Sequence, residues 1–127
     1  MPRLRRLVWL IVLALAACRQ PEVPLNNPNL QIDLAYEPRE ARVGPAELLV
    51  TVRRADGTPI AEAVLDIRGD MAHAGMVPVL RQALTDGQGQ ARVPFEWTMG
   101  GSWFVEVIVT APDGEKGRGF FELNVAS

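Results

Sequence analysis

The residues that suggest chemistry in this sequence are three methionines and its single histidine. Leaving aside Met1, they are Met71, His73, Met76 and Met99. A thioether is a soft, neutral ligand that selects Cu(I) over hard cations, and a neutral imidazole binds copper in either oxidation state. The motif Met-x-His-x-x-Met, completed by Met99, therefore predicts a Cu(I) site. Because a thioether has no proton to lose, such a site would persist at mildly acidic pH.

The spacing of this motif allows its ligands to converge on one ion. In an extended chain, Met71 and His73 point to the same side with their backbones about 6.6 Å apart. Gly75 permits a turn that brings Met76 back toward them. Zinc is disfavoured, because it prefers cysteine, histidine and carboxylate ligands and the sequence contains one histidine.

Two tryptophans, Trp97 and Trp103, flank Met99. We expect their indoles to shield the site from solvent and oxidation. The alternative is structural, because methionine commonly fills gaps in cores and tryptophan more often packs than lines a site. His73 is then a surface or hydrogen-bonded histidine. Asp66 and Asp70 are the carboxylates nearest in sequence that would orient it, although aspartates at turns are usually solvated.

No catalytic constellation accompanies the motif. Beyond residue 17 the only serines are Ser102 and Ser127, so a Ser-His or Cys-His nucleophile has almost nothing to be built from. Neither a phosphate-binding loop nor a dinucleotide fingerprint is present in the sequence. We therefore expect a protein that is not an enzyme and has no catalytic residues.

Residues 1–17 have the composition of a cleaved signal peptide. Three arginines within the first six residues precede an apolar run, residues 7–17, which is too short to span a bilayer. The run ends in Leu15-Ala16-Ala17-Cys18, which resembles the bacterial lipobox. The resemblance implies cleavage before Cys18 and lipid attachment to it, so that the protein faces the periplasm on a membrane anchor. The alternative is a secretory signal without lipidation.

The position after Cys18 bears on which membrane holds the anchor. Arg19 occupies it, and the resemblance to sorted lipoproteins implies the outer membrane. Cys18 is also the only cysteine, so no intramolecular disulfide can stabilise the domain.

Residues 18–29 are predicted to form a flexible tether and residues 30–127 a single domain. The tether contains three prolines and three asparagines without apolar periodicity. Removing the signal leaves ten basic against fifteen acidic residues, a net charge of −5, which argues against a nucleic-acid partner. The chain is 48% apolar and 22% charged, as in folded proteins. We expect no cofactor to be required for folding.

The domain reads as an all-β, immunoglobulin-like antiparallel sandwich. Short apolar runs alternate with turn residues, and no stretch requires a helix. The sixth run has two largely apolar faces, which predicts a central strand. The seven predicted strands are residues 30–36, 47–54, 63–68, 77–84, 90–97, 102–110 and 119–125.

Strand parity predicts where the methionines lie. Successive strands of an antiparallel sandwich run in opposite directions, so alternate connections share one end. The third connection, residues 69–76, and the fifth, residues 98–101, therefore meet at the end remote from the tether. Met71, His73 and Met76 fall in one of them and Met99 in the other.

Three further segments carry a family resemblance when taken with the Met/His loop. They are residues 57–64 (GTPIAEAV), 86–91 (DGQGQA) and 95–107 (FEWTMGGSWFVEV), and together they resemble a YtkA-like domain, related to FixH-type proteins, over roughly residues 30–125. The resemblance implies an immunoglobulin-like sandwich at the cell envelope and a role in copper handling, as in periplasmic Cu(I) carriers and factors that support oxidase assembly.

Mapped onto this chain, the resemblance assigns the Met/His loop to Met71, His73 and Met76, and the Met-Gly-x-x-Trp segment to Met99, Gly100 and Trp103. This loop departs from its relatives, which often have a methionine pair followed closely by Gly-His. We therefore expect transient Cu(I) binding by a lipid-anchored carrier or oxidase-assembly accessory, with a copper donor or acceptor protein as its partner. The alternative is a structural or protein-interaction module of the cell envelope that binds no metal.

Overall fold

The computed structural model of the chain describes residues 26–73 and 75–127. The predicted signal peptide, Cys18 and most of the predicted tether lie outside the described residues. Seven strands are present: β1 (Leu30–Glu37), β2 (Gly44–Arg54), β3 (Val64–Met71), β4 (Val79–Leu84), β5 (Gln90–Trp97), β6 (Gly101–Thr110) and β7 (Lys116–Val125).

The strands form two sheets in which every neighbouring pair is antiparallel. One sheet has three strands in the order β1-β2-β5, and the other has four in the order β4-β3-β6-β7. The predicted all-β antiparallel sandwich is therefore confirmed. Among the described residues, nothing forms a helix long and apolar enough to cross a membrane.

Alternation along each strand builds the core between the sheets. Leu48, Val50 and Val52 of β2 are buried at every second position, as the period of a strand requires. Strand β6 lies between β3 and β7, and its inward residues Val105 and Val107 are fully buried. The prediction that this strand is central is confirmed.

Several strand boundaries differ from the sequence prediction. Strand β3 was expected to end at Arg68 but continues to Met71, because β6 keeps pairing with it through Met71↔Trp103 after β4 has diverged at Gly69. The longer strand places Asp70 and Met71 in the sheet and not in a connection.

The other differences in strand boundaries also depend on how far pairing with a neighbouring strand extends. Strand β2 begins at Gly44 because β5 pairs with it that far, and β7 begins at Lys116 because its pairing with β6 extends to Thr110. Strand β4 begins at Val79 and not at residue 77, because its pairing with β3 starts at Gly69↔Val79.

The antiparallel pairing separates the connections into two groups. We call the β1–β2, β3–β4 and β5–β6 connections (residues 38–43, 72–78 and 98–100) the distal end, and the opposite connections the proximal end. Asn26, where the described chain begins, donates its N–H to the carbonyl of Arg118 near the start of β7, at the proximal end. The distal end is thus opposite the point where the chain enters the domain.

Candidate functional site

Met71 lies deeper than the sequence suggested. It is the last residue of β3, directly opposite Trp103 of β6, and its side chain is 3% exposed. Its Cε methyl lies against Gly101, where a Cβ on that glycine would come within 2.9 Å. Met71 therefore packs as a core residue whose side chain reaches the start of β6, two residues from Met99.

Met99 is held at the surface of the same end. Its side chain is 49% exposed, and its main-chain oxygen accepts a 2.8 Å hydrogen bond from the indole N–H of Trp103. Gly100, next to it, lies against Ser127 so closely that a Cβ would come within 3.0 Å of the Ser127 hydroxyl. The β5–β6 connection is thus fixed by β6 on one side and the carboxyl terminus on the other.

The two tryptophans form a buried floor beneath this end. Trp97 comes from the three-stranded sheet and Trp103 from the four-stranded one, and their rings meet edge to face with centroids 5.2 Å apart. Phe95 and Tyr36 extend the cluster, with centroids 4.8 and 6.1 Å from Trp97. Both indoles lie wholly in the core, below the connections that carry Met99 and His73, and not at their surface.

His73 and Met76 lie in the β3–β4 connection. His73 is exposed, whereas Met76 is half-buried and packs against the core. Ala74, between them, is outside the described residues. Three of the four predicted ligands therefore lie in the distal connections, two of them exposed and one half-buried, and the fourth, Met71, is buried at the end of the strand that leads into one of these connections.

The neighbouring carboxylates are already engaged elsewhere. Asp70 accepts a 2.7 Å hydrogen bond from Arg68 and a 2.8 Å bond from the main-chain N–H of Met71. The Arg68 guanidinium, and then the Met71 N–H, hold the pKa of Asp70 below its ordinary value of 3.8. Asp66 accepts a bond from Gln82. These contacts fix the end of β3 and leave no described hydrogen bond from either aspartate to His73.

The donor set at the distal end is soft. Within residues 26–73 and 75–127, no three residues drawn from histidine, cysteine, aspartate and glutamate lie close enough together to hold a metal ion. A metal held by these residues would therefore depend on thioether sulfur, which suits Cu(I) and not Zn²⁺ or Mg²⁺.

Three further residues shape this end without a distinctive signal in the sequence. Gly101 has φ +126°, and its missing side chain makes room for Met71, but in the sequence it resembles any glycine of a hairpin turn. Val43 and Val77 are 47% and 80% exposed in two of the three distal connections. No local sequence pattern identifies Val43 and Val77 as exposed, because exposure of an apolar residue in a loop depends on the fold.

Comparison with known proteins adds a family and a fold. The family model described as YtkA-like matches residues 26–108, more than half of the chain. Among curated proteins, no sequence matches the chain.

Two solved structures are similar to the sandwich. A superoxide reductase (neelaredoxin) from Ignicoccus hospitalis is 11% identical, with a TM-score of 0.54 over 76% of this chain and 80% of that one. The PmoD soluble domain from Methylocystis sp. ATCC 49242 (Rockwell) is 12% identical, with a TM-score of 0.49 over 75% of this chain and 90% of that one. At such identities, similarity to the reductase concerns the fold alone.

Proposed function

The chain belongs to the YtkA-like family, and we propose that its distal end binds Cu(I) transiently as a copper carrier or oxidase-assembly accessory. One observation carries the proposal. All three methionines of the described domain and its single histidine lie at one end of the sandwich, although they are up to 28 positions apart in the chain. Methionines that only filled gaps in the core would not be expected to gather at one end of the sandwich.

The ligands differ in how readily they reach an ion. His73 and Met99 are exposed and Met76 is half-buried, so these three form the accessible set. Met71 lies beneath them, against Gly101 and opposite Trp103. We assign the accessible set to capture and release, and Met71 to a deeper position that becomes a ligand when the β3–β4 connection opens.

Such an arrangement suits a carrier better than a storage site. Exposed, neutral ligands exchange readily with those of another protein, whereas a closed cage of four ligands holds its metal as part of the structure. In this proposal the buried rings of Trp97 and Trp103, with Met71 directly opposite Trp103, exclude water from the inner side of the site. No bond to substrate is made or broken, so the proposed role involves no catalysis.

The test is an anaerobic Cu(I) competition titration of the full chain in detergent. Replacing methionine by leucine removes the sulfur and nearly conserves side-chain volume. We expect Met99→Leu and His73→Ala each to weaken Cu(I) binding by about tenfold or more, equivalent to about 1.4 kcal/mol. Met71→Leu should have the smaller effect.

Val77→Leu is the matched control, because Val77 is exposed in the same connection and offers no donor atom. It should bind Cu(I) like the parent chain. If the parent chain fails to compete for Cu(I), the carrier proposal is wrong.

A second candidate is an interaction module without metal. It is favoured by the exposed apolar residues of the distal end, of which each connection contributes one: Val43, Val77 and Met99. Exposed apolar side chains gathered on one surface are common where proteins bind one another. The two candidates differ in whether capture of a partner protein depends on metal. The double variant Val43→Ser, Val77→Ser should abolish capture under either candidate. His73→Ala should reduce capture only if the partner recognises the copper-bound protein.

We also propose that the domain is anchored through lipid on Cys18, in the outer membrane and facing the periplasm. The lipobox-like sequence 15–18 and the tether-like composition of residues 18–29 support this. Mass spectrometry of the amino-terminal peptide from envelope fractions tests it. We expect a triacylated Cys18, and a Cys18→Ala chain should leave the membrane fraction.

A further inference from the structure

Strand β4 differs from the other edge strands of the sandwich. Edge strands usually carry charges or proline on the exposed face, which prevents pairing with another chain. The exposed faces of β1, β5 and β7 carry charges or proline at Asp33, Glu37, Arg92, Pro94, Glu96, Lys116 and Glu122, although β7 also exposes Phe120 (44%) between its charged residues. The exposed face of β4 instead presents Leu80 (65% exposed), Gln82 and Leu84 (63% exposed), none of which is charged.

The backbone of the same three residues faces the free edge. Just beyond β4, Thr85 donates its N–H to Ala63 and accepts a hydrogen bond from Glu62, so Thr85 is a hydrogen-bonded position toward β3. Hydrogen-bonded positions alternate along an antiparallel pair. It follows that Leu80, Gln82 and Leu84 direct their N–H and C=O groups away from β3.

The contacts of Arg81 are consistent with this assignment, and its side chain does not block the free edge of β4. Its guanidinium donates to the main-chain oxygen of Leu80 at 2.8 Å, an oxygen that the β3 ladder leaves available. Its Nε donates to the carbonyl of Pro94 at 3.0 Å, and the guanidinium carbon lies 5.9 Å from the centre of the Phe95 ring. The side chain is therefore drawn toward β5, and the Leu80 oxygen keeps a second lone pair.

We propose that β4 pairs with β4 of a second copy of this chain, antiparallel and with the two-fold axis at Gln82. In this register Gln82 faces Gln82, and Leu80 faces Leu84 of the second copy. The residues with free backbone groups thus satisfy one another, and the four exposed leucines meet on one face of a continuous eight-stranded sheet. Arg81 faces Ala83, so no charge meets a like charge.

The register is self-complementary, and this is what selects a second copy over another partner. A pattern of apolar, polar and apolar residues that is symmetric about its central residue matches itself when two copies pair in the antiparallel sense. The pairing does not involve the distal end, so it is independent of the copper proposal. It would leave the two Met/His ends on opposite sides of the dimer, both accessible.

Disulfide trapping of the full chain in the envelope tests the register. At a hydrogen-bonded antiparallel pair the Cα atoms are about 5.5 Å apart, within the range of roughly 4.4–6.8 Å that a disulfide spans. We expect Gln82→Cys to give a covalent dimer on treatment with diamide. Leu80→Cys is the matched control, because it is exposed on the same face but its two copies would be about 13 Å apart.

Co-expression of two different cysteine variants gives a further test of the register. Chains with Leu80→Cys and Leu84→Cys, expressed together, should cross-link to each other, although neither does so alone. Cys18 is present in every chain, so a disulfide between two Cys18 residues would appear in the parent, and one between Cys18 and an introduced cysteine would appear equally in the Leu80→Cys control. Equal cross-linking of Gln82→Cys and Leu80→Cys, or none at Gln82→Cys, would overturn the proposal.

A second measurement needs no cysteine. Gln82→Lys places two lysines opposite each other in the proposed pairing, where like charges are destabilising. The parent chain in detergent should show twice the protein mass of the Gln82→Lys chain by light scattering, with unchanged circular dichroism. The same mass for both chains would contradict the pairing.

Discussion

The indole N–H of Trp103 donates a 2.8 Å hydrogen bond to the main-chain oxygen of Met99. This bond joins a core residue of β6 to the exposed connection that carries one predicted copper ligand. Met71 of β3 lies opposite Trp103 and brings a second predicted copper ligand to the same end of the sandwich. The position of the distal methionines is therefore set by packing in the core and not by the connections alone.

Trp103→Phe should destabilise the domain more than Trp97→Phe. Both tryptophans are buried, and both changes remove the same volume, but only Trp103 loses a hydrogen bond, since the indole nitrogen of Trp97 has no partner among the described residues. The difference in the free energy of unfolding should be about 1 kcal/mol. Urea denaturation of the two variants measures it, and an equal or reversed order would show that the bond contributes nothing to stability.

Gly101→Ala should destabilise through a contact with Met71 in addition to backbone strain. Gly114→Ala is the matched control, because Gly114 also has positive φ, at +88°, and a Cβ there would meet nothing within 4 Å. We expect about 1–3 kcal/mol of strain from either change. The extra cost at Gly101 should disappear in a Met71→Ala background. Additive effects in this double-mutant cycle would mean that the two residues do not interact.

Gly69→Ala should disturb the aromatic floor. A Cβ on Gly69 would overlap the Phe95 ring, whose centroid is 4.8 Å from that of Trp97. Forcing Phe95 aside should cost about 1–3 kcal/mol and weaken the near-ultraviolet circular dichroism of the tryptophans. Gly87→Ala, at an exposed turn with open space around it, should stay within about 0.5 kcal/mol of the parent chain. Similar behaviour of the two variants would contradict this packing.

The end of β3 should lose stability in acid through Asp70. The pKa of Asp70 is lowered in the folded state by Arg68 and by the Met71 N–H, so its contribution is present above the unfolded value near 3.8 and disappears as the pH falls through the folded pKa. Asp70→Asn should therefore be less stable than the parent chain at pH 7. The gap between the two stabilities should begin to narrow below about pH 4 and close once the pH is below the lowered pKa of the folded carboxylate. Thermal unfolding across pH 2–7 measures this, and a gap independent of pH would exclude the ionised carboxylate as its cause.

Much of the sandwich was predictable because strand periodicity is a local property. Leu48, Val50 and Val52 alternate in the sequence with the period at which β2 is buried, and the two apolar faces of residues 102–110 predicted a central strand. Parity of antiparallel strands then predicted that the Met/His loop and Met99 share one end, which the pairing confirms. The family resemblance is confirmed for the YtkA-like domain, and the lipid anchor and copper binding stay predictions.

The strand ends, and with them the burial of the candidate ligands, were decided by tertiary structure. Nothing local distinguishes Met71 from a loop residue, and it belongs to β3 because β6 offers Trp103 as a partner. The role of Gly101 and the open edge of β4 likewise depend on what lies beside them across the sheet. The sequence by itself determined periodicity, turns and direction, since these arise between neighbours in the chain. Only the fold determined which sulfur is buried and which edge is free, because both depend on contacts between residues far apart in sequence.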